Sequence, residues 1–382
     1  MNRRTLLGTG ALAAPTILAR AAIARVRKIA TNQRIDCADS SAARPKALTY
    51  MVGYGGGANE ASVPTVERWL GRPLDLITDS TTTWGFSRTG FTSANGRPTC
   101  RIISVPMLSV EGEHPSLNDM AQAARGAYDS DYRVMLTNVL RHAPTVAIRP
   151  GWEGPGGDWY QWSNGVGKNA TYANFIATFR RIARIAKSIQ PSILIDFCAC
   201  WGYHPDITSY WPGTYDAATN PGGADVVSLD VYEGNVARAN NGGIQPTWAG
   251  IQSYTGLSNP PVAGTWNLDT LVAFARAHGV KVGMAEYGPG TAAMSHGFLG
   301  GEGSGYSSDD AAWAQGSIDW INSLGSLFLY TVWSAWPPAD DMESSRVGPA
   351  EHTVWKNMWG STYFDRNLGG WYKGTARTPS ER

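Results

Sequence analysis

The sequence is poor in charge, in histidine and in long apolar runs. Charged residues make up 16% of the 382, and Lys+Arg 32 nearly balance Asp+Glu 31, so the net charge is +1. A chain of this kind lacks the basic surface that attracts nucleic acid or an anionic membrane. We therefore predict no nucleic-acid partner.

Metal chemistry is disfavoured by the scarcity of histidine. His142, His278 and His352 fall in predicted helices or at their ends, and the other three of the 6 histidines are scattered through loops. A metal-dependent hydrolase would need His and Asp side chains clustered at strand ends. We predict no metal and no cofactor.

Cysteine is also rare, with only Cys37, Cys100, Cys198 and Cys200 in the chain. Cys198 and Cys200 are two residues apart on a predicted strand and so point to one face, which is not the spacing of a zinc site. Two interpretations remain open. The thiols are packed as small hydrophobic side chains, or two of them form one disulfide bond.

No apolar run is long enough to cross a bilayer. Residues 1–24 instead have a charged start, a weakly apolar middle and a small-residue end at 22–24, and the Arg3-Arg4 pair resembles the twin-arginine type of export signal. A short membrane anchor is the weaker alternative. We predict an export signal peptide over 1–24, a leader over 25–46 and one domain over 47–382. The mature chain is expected to lack a membrane span and to lie in the periplasm or outside the cell.

Aromatic residues and glycine are what the chain has in abundance, with 16 Trp, 16 Tyr, 9 Phe and 44 Gly. Tryptophan is awkward to bury completely because of its size and its N–H group. Many of these rings are therefore expected at a surface that binds something flat and partly apolar.

Eight short apolar runs, rich in β-branched and aromatic residues, are typical of parallel strands buried on both faces. Helical patterns separate several of them, among them one over 116–143 with Ser116 as its N-cap, one over 171–191 and one that begins at Asn267. The alternation predicts a single (β/α)8 barrel of the TIM type. A doubly wound open sheet is the alternative, disfavoured because no Gly-x-Gly-x-x-Gly turn follows the first run. The eight runs span 47–56, 74–84, 101–108, 145–153, 193–201, 225–233, 281–288 and 326–336.

Two glutamates end strands that face each other across such a barrel. Glu153 follows the fourth run and Glu286 ends the seventh, while long Gly-rich and aromatic loops follow several strands. In this fold the carboxyl ends of the strands form the catalytic face. A pair of carboxylates about 5–5.5 Å apart is what retaining glycoside hydrolysis uses. We predict Glu153 and Glu286 as catalytic residues.

The segment "RPGWEGPGGDWYQW" (149–162) resembles the acid/base segment of glycoside hydrolase family 26, a family of endo-β-mannanases built on a (β/α)8 barrel. "MAEYG" (284–288) is similar to the nucleophile segment of the same family. The resemblance implies Glu153 as acid/base supported by Arg149, and Glu286 as nucleophile, which Arg149 is also predicted to support. "DVVSLDVYE" (225–233) is similar to the strand that ends in a tyrosine bonded to the nucleophile, which implies that role for Tyr232. "YTVWSAW" (330–336) implies Trp333 or Trp336 as the floor of the sugar subsite.

Two departures from the family pattern bear on substrate. Trp152 stands where the family usually has histidine, and "GPGGD" (154–158) replaces a tight x-Asn-Gly turn. Asp230 is predicted to point into the same mouth, either to bind a sugar hydroxyl or to make a buried structural hydrogen bond. The predicted substrate-binding residues are Trp84, Trp152, Trp159, Trp162, Trp201, Asp230, Trp333 and Trp336.

The leading hypothesis is an exported, retaining, endo-acting β-glycanase that hydrolyses a β-linked polysaccharide, with β-1,4-mannan as the first candidate. Another β-glycan or a bacterial exopolysaccharide is the alternative substrate. A second hypothesis, from another class, is a non-catalytic carbohydrate-binding barrel, which would keep the tryptophans without needing both glutamates.

Overall fold

The computed structural model describes residues 47–52, 76–80, 100–109, 116–142, 145–154, 160–200, 207–232, 268–288, 311–333, 362–365 and 370–373. Eight of its strands pair in chain order, each parallel to the next, and the last pairs with the first to close a barrel. These strands are β1 Ala47–Val52, β2 Leu76–Ser80, β3 Cys100–Val105, β4 Thr145–Pro150, β5 Leu194–Cys200, β6 Val226–Tyr232, β7 Lys281–Gly288 and β8 Phe328–Trp333.

The closed barrel confirms the predicted fold class, and the alternative of an open doubly wound sheet is wrong. Each of the eight strands falls on one of the eight apolar runs. The reason is that every residue of β3 and β4 is buried, so the strands carry apolar side chains on both faces, inside the barrel and toward the helices.

Five helices are described: α1 Met120–Arg125, α2 Asp129–His142, α3 Tyr172–Ile189, α4 Leu268–His278 and α5 Ala311–Leu324. Short 3-10 turns lie at Ile207–Ser209 and Gly325–Leu327. In the part of the chain that the structure describes, no helix combines the length and the apolar character that a bilayer crossing requires.

The first helical pattern differs from its prediction in two ways. Its N-cap is Asp119, whose carboxylate accepts the N–H groups of Ala121 and Gln122, and Ser116 lies in the preceding turn. The pattern also splits into α1 and α2, because Gly126 adopts φ 92° and ends α1 with a left-handed cap. A second helix then starts at Asp129, which an ion pair ties to Arg181 of α3.

A small antiparallel hairpin follows the barrel. Its strands are β9 Thr362–Asp365 and β10 Gly370–Lys373, paired from Gly370 opposite Asp365 to Lys373 opposite Thr362. The sequence analysis did not predict it.

The helix layer is packed on the barrel by aromatic side chains. Phe175 and Phe179 of α3 contact Phe197 of β5, with ring centroids 6.3 Å and 5.8 Å apart. Trp211, which follows β5, packs edge-on against the same Phe197 at 5.2 Å and against Phe274 of α4 at 5.0 Å. These contacts cover the outer face of β5 and hold the strand that contributes to the site described below.

The two cysteines whose side chains the structure describes differ in chemical state. Cys198 is a buried free thiol, while Cys100 is disulfide-bonded. One disulfide bond is therefore present, as one of the two open interpretations held. Its second sulfur lies outside the described side chains.

We expect Cys37 to be the partner of Cys100. In the register of the barrel, Ile102 pairs with Ala147 and Ala147 pairs with Leu194. Cys100 precedes the first of these and Cys200 follows the last, so the two cysteines lie about eight residues, or about 26 Å, apart along the strand direction. A disulfide bond needs Cα atoms within about 7 Å. Peptide mapping without reduction should give a 37–100 cross-linked peptide, and reduction should lower the free energy of unfolding by roughly 4 kcal/mol. Recovery of a 100–200 peptide would contradict the assignment.

Candidate active site

Three carboxyl groups meet at the carboxyl ends of β4, β6 and β7. One oxygen from each of Glu153, Asp230 and Glu286 lies within 4.8 Å of the other two. Glu153 and Glu286 are partly exposed, whereas Asp230 is only 4% exposed. The structure thus brings together the two glutamates that were predicted to converge and the aspartate that was predicted to point into the same mouth.

A tight turn after β4 presents Glu153. Gly151 at φ 57° and Glu153 at φ 53° both occupy the left-handed region, which is uncommon for a residue with a side chain. The Gly151 N–H donates to the Val105 carbonyl of β3 at 2.9 Å, and Gly154 N–H donates to the Gly151 carbonyl at 3.1 Å. The turn is therefore held by backbone hydrogen bonds, and the backbone strain at Glu153 is sustained by its surroundings.

Aromatic rings pack behind this turn. The Trp162 indole N–H donates to the Trp152 carbonyl at 3.0 Å, and the Trp152 indole N–H donates to the Tyr160 hydroxyl at 2.7 Å. Tyr160 stacks on Trp162 with centroids 4.6 Å apart. A Cβ at Gly154 would lie 2.6 Å from the Trp162 ring, so only glycine permits this packing.

The predictions that Trp152 and Trp162 stack on substrate are corrected by their burial. Trp162 is 0% exposed and Trp152 is 3% exposed. Their ring faces are used by each other and by Tyr160, with Trp152 and Trp162 in an edge contact at 4.7 Å. In the structure these rings support the turn that carries Glu153 and offer no face to a sugar.

A one-residue bulge in β7 precedes Glu286. On the β6 side, Met284 pairs with Leu229 and Glu286 with Asp230, which leaves Ala285 as the extra residue. The pairing of β7 with β8 shifts over the same stretch, between Met284 and Tyr287. Beyond the bulge the Tyr287 hydroxyl contacts the Ser317 hydroxyl of α5 at 3.2 Å. Tyr287 therefore points outward to the helices, and Glu286 points into the mouth.

Asp230 is the most deeply buried member of the cluster. Burial raises the pKa of its carboxyl well above the ordinary value, and the neighbouring Glu286 and Glu153 raise it further. The Cys198 thiol of β5 donates to Asp230 Oδ1 at 3.4 Å. Of the two roles left open for Asp230, the buried hydrogen bond is present. The raised pKa favours the protonated form of Asp230, which reduces the negative charge in the mouth.

Arg149 lies below the carboxyl cluster, inside the barrel. Its Nε donates to Asp196 Oδ2 at 2.8 Å, its Nη2 to the Tyr330 hydroxyl at 2.9 Å, and its Nη1 to the Ala285 carbonyl at 3.3 Å. The sequence analysis expected it to support the catalytic glutamates. Its hydrogen bonds run to the β5 carboxylate, to Tyr330 and to the backbone just before Glu286, and the supporting role stays a prediction.

Three residues that were not predicted surround this guanidinium: Asp196, Ser228 and Tyr330. Each is fully buried, and Ser228 Oγ donates to Asp196 Oδ1 at 2.8 Å. Strand periodicity could have found two of them, because Asp196 and Ser228 each lie two residues before an inward-facing member of the mouth, Cys198 and Asp230.

The remaining predicted residues fall at or beyond the limits of the described structure. Tyr232 ends β6 and Trp333 ends β8, but their side chains lie outside the described part. Trp84, Trp159, Trp201 and Trp336 lie outside the described residues altogether.

Within the described ranges, one group of His, Cys, Asp or Glu side chains has a spacing that would suit a metal ion, and it is this carboxyl cluster. It contributes oxygen donors alone.

Solved structures of mannanases are among those to which the chain is similar. It is similar to a Bacillus subtilis mannanase, BCman, with 12% identity, 81% of this chain and 85% of that one covered, and a TM-score of 0.48. Mannanase man26 of the same organism matches with 13% identity over 81% and 85% of the two chains, at a TM-score of 0.46. The GH26 domain of an endo-β-mannanase/endo-β-glucanase from Prevotella bryantii matches with 11% identity over 84% and 90%, at 0.44.

The last of these is named a GH26 domain, and glycoside hydrolase family 26 is the family that the sequence resembles. No protein-family model and no curated protein matches the chain. At these identities and TM-scores the likeness says nothing of this chain's chemistry.

Replacing Asp230 by asparagine should change how stability depends on pH. Because the pKa of Asp230 is higher in the folded protein than its ordinary value of 3.8, the unfolded chain loses this proton first as pH rises. Wild-type stability should therefore fall, relative to Asp230→Asn, as pH rises above about 4. Chemical denaturation of both proteins between about pH 4 and pH 8 measures this.

The control is Asp216→Asn. Backbone and side-chain hydrogen bonds from Thr219 lower the pKa of that exposed carboxyl, so its removal should give no gain at high pH. A constant difference in stability between wild type and Asp230→Asn over the whole range would contradict the assignment of a proton to Asp230.

Proposed function

We propose that this protein is a glycoside hydrolase of the family 26 type that retains the anomeric configuration of its substrate. The observation that supports this most directly is the approach of the Glu153 and Glu286 carboxyl oxygens to within 4.8 Å. Retaining enzymes hold their two carboxyl groups about 5–5.5 Å apart, whereas inverting enzymes leave about 6.5–9.5 Å for a water molecule.

In the first step of the proposed reaction, a Glu286 oxygen attacks the sugar C1 while Glu153 gives its proton to the glycosidic oxygen. The bond from C1 to that oxygen breaks, and a covalent glycosyl ester forms on Glu286. In the second step Glu153, now ionised, takes a proton from water as the water oxygen attacks C1 and frees Glu286. Each glutamate ends in its starting state, so no further reactant is needed.

The surroundings of Glu153 suit the acid/base role. It stands on a strained turn backed by Trp152 and Trp162, and it is close to two other carboxyl groups. Apolar packing and neighbouring negative charge both favour the protonated form of a carboxyl group. Glu286, carried by β7 and facing the mouth, is assigned as the nucleophile.

The substrate class rests on the family resemblance and on the aromatic residues of the long loops. We propose a β-linked polysaccharide, with β-1,4-mannan first, cleaved inside the chain. Another β-glycan or a bacterial exopolysaccharide is the alternative, because Trp152 replaces the family histidine. The candidate sugar-stacking residues are Trp84, Trp159, Trp201, Trp333 and Trp336.

We also propose that the protein works outside the cytoplasm. The disulfide bond at Cys100 supports this, because such bonds persist mainly in oxidising compartments. The export-signal pattern over residues 1–24 supports the same location, and polymeric substrates are met there.

Hydrolysis of a panel of β-linked polysaccharides tests the proposal. Glu153→Gln should lower kcat by about 10²–10⁴-fold on a natural polysaccharide, because it removes the proton donor. Glu286→Gln should lower kcat at least as far, because it removes the nucleophile. Both variants should still bind the oligosaccharide product or substrate in calorimetry.

Asp269→Asn is the matched control, since Asp269 is an exposed carboxyl on α4, and it should keep full activity. Binding without hydrolysis by the wild type would favour the second hypothesis, a non-catalytic carbohydrate-binding barrel. That outcome would contradict the proposed enzyme.

The stereochemistry of the product is a separate test. A retaining enzyme acting on a β-glycan should release the β-anomer first, followed by mutarotation, and NMR of the early reaction can detect it. Initial release of the α-anomer would mean that an activated water attacks directly, and the role given to Glu286 would then be wrong.

A further inference from the structure

The bulge at Ala285 decides which way Glu286 points. Below it, Gly283 faces the barrel interior, since a Cβ there would lie 2.6 Å from the buried Tyr330 ring. Strict alternation from Gly283 would turn residue 285 inward and residue 286 outward toward the helices. The extra residue reverses this order, because a shift of one residue exchanges the two faces of a strand.

The bulge is held from across the barrel by Arg149. A bulge disrupts the ladder and leaves its extra residue unpaired. Arg149 Nη1 reaches the Ala285 carbonyl at 3.3 Å, and this contact ties the turn-bearing strand β4 to the strand β7 that carries Glu286. The Arg149 side chain thus connects the strand that precedes Glu153 to the strand that carries Glu286.

Arg149 is in turn held by a closed set of hydrogen bonds. Asp196 Oδ2 accepts from Arg149 and from the Tyr330 hydroxyl, while Asp196 Oδ1 accepts from Ser228. Gly283 leaves the space that the Tyr330 ring fills. All four polar residues are at most 1% exposed, so water does not offer alternative partners.

The guanidinium keeps its charge in this setting. Burial alone would lower the pKa of Arg149, but Tyr330 and Asp196 raise it well above its ordinary value, with Cys198 and Asp230 contributing from above. A permanent positive charge with a planar array of donors gives a fixed direction to the hydrogen bond at Ala285.

We propose that Asp196 and Tyr330 are positioning residues for Glu286, acting through Arg149 on the bulge at Ala285. The inference rests on the proposed function, since it assigns Glu286 the nucleophilic role. The alternative is that the buried pair only stabilises the barrel. A positioning role predicts that a substitution lowers the activity of the folded enzyme, whereas a purely stabilising role predicts that it lowers only the stability.

Tyr330→Phe is the main test, because it removes one hydroxyl and keeps both the ring and the ion pair. Since misplacing a reacting group by about 1 Å can cost about 100-fold, we expect kcat/KM to fall roughly tenfold for Tyr330→Phe and roughly 100-fold for Asp196→Asn. The loss should be the same factor for aryl glycosides with good and with poor leaving groups, because the attacking oxygen is displaced. Inactivation by a 2-deoxy-2-fluoroglycosyl fluoride should slow in parallel.

Two comparison variants are needed to interpret the kinetic effect of Tyr330→Phe. Glu153→Gln should slow substrates with poor leaving groups far more than those with good ones, since it removes the acid. Tyr132→Phe, which removes a buried hydroxyl bonded to the Met107 carbonyl at 2.6 Å from α2, should lower Tm and leave kcat/KM unchanged. If Tyr330→Phe behaves like Tyr132→Phe, or shows the leaving-group dependence of Glu153→Gln, the proposal is overturned.

A crystal structure of Tyr330→Phe separates this inference from the proposed function. We expect the Glu286 carboxyl group to move away from Glu153 and Asp230, and the hydrogen bond from Arg149 to Ala285 to be lost. An unchanged bulge and cluster would refute the positioning role even if the enzyme is active. If the wild type hydrolyses no glycan, the proposed function is wrong. The position of Glu286 in the Tyr330→Phe structure would still test the positioning role by itself.

Discussion

A buried ion pair between Arg149 and Asp196 is the constraint on which the site depends. Both side chains lie inside a closed barrel, with at most 1% exposure, so each charge requires the other. Tyr330 and Ser228 complete the hydrogen bonds, which brings β4, β5, β6 and β8 into one polar layer, and Ala285 adds β7. Apolar residues could fill this space more simply, but they would not direct a donor at the backbone before Glu286.

In the carboxyl cluster above that layer, opposing electrostatic effects act on the pKa of Asp230. The Arg149 charge lowers the pKa of Asp230, while burial, Glu286 and Glu153 raise it, and the raising effects prevail. A pair of glutamates working as nucleophile and acid needs one ionised and one protonated group in the same small volume. The raised pKa of the buried aspartate favours its protonated form and so reduces the negative charge that three carboxyl groups would otherwise place in the mouth.

Sequence patterns predicted the scaffold well because a strand buried on both faces appears in the sequence as a short continuous apolar run. All eight strands fall on apolar runs, and Glu153 and Glu286 were found because each acidic residue interrupts an aromatic and glycine-rich strand end. The division of the first helical pattern at Gly126 was missed because apolar spacing continues through 127–142. The burial of Trp152 and Trp162 was missed because it depends on Tyr160, Phe175 and the absence of a side chain at Gly154.

The sequence alone therefore determined the order of the eight barrel strands and which acidic residues follow which strand, since side-chain periodicity and turn-forming residues are properties of neighbouring residues. The tertiary structure decided the direction of Glu286 and the partners of Arg149. A one-residue bulge is defined only against the strands beside it, and Asp196 and Tyr330 lie 47 and 181 residues from Arg149 in the chain. Barrel closure brings these residues into contact, and no local pattern records their distances or their hydrogen bonds.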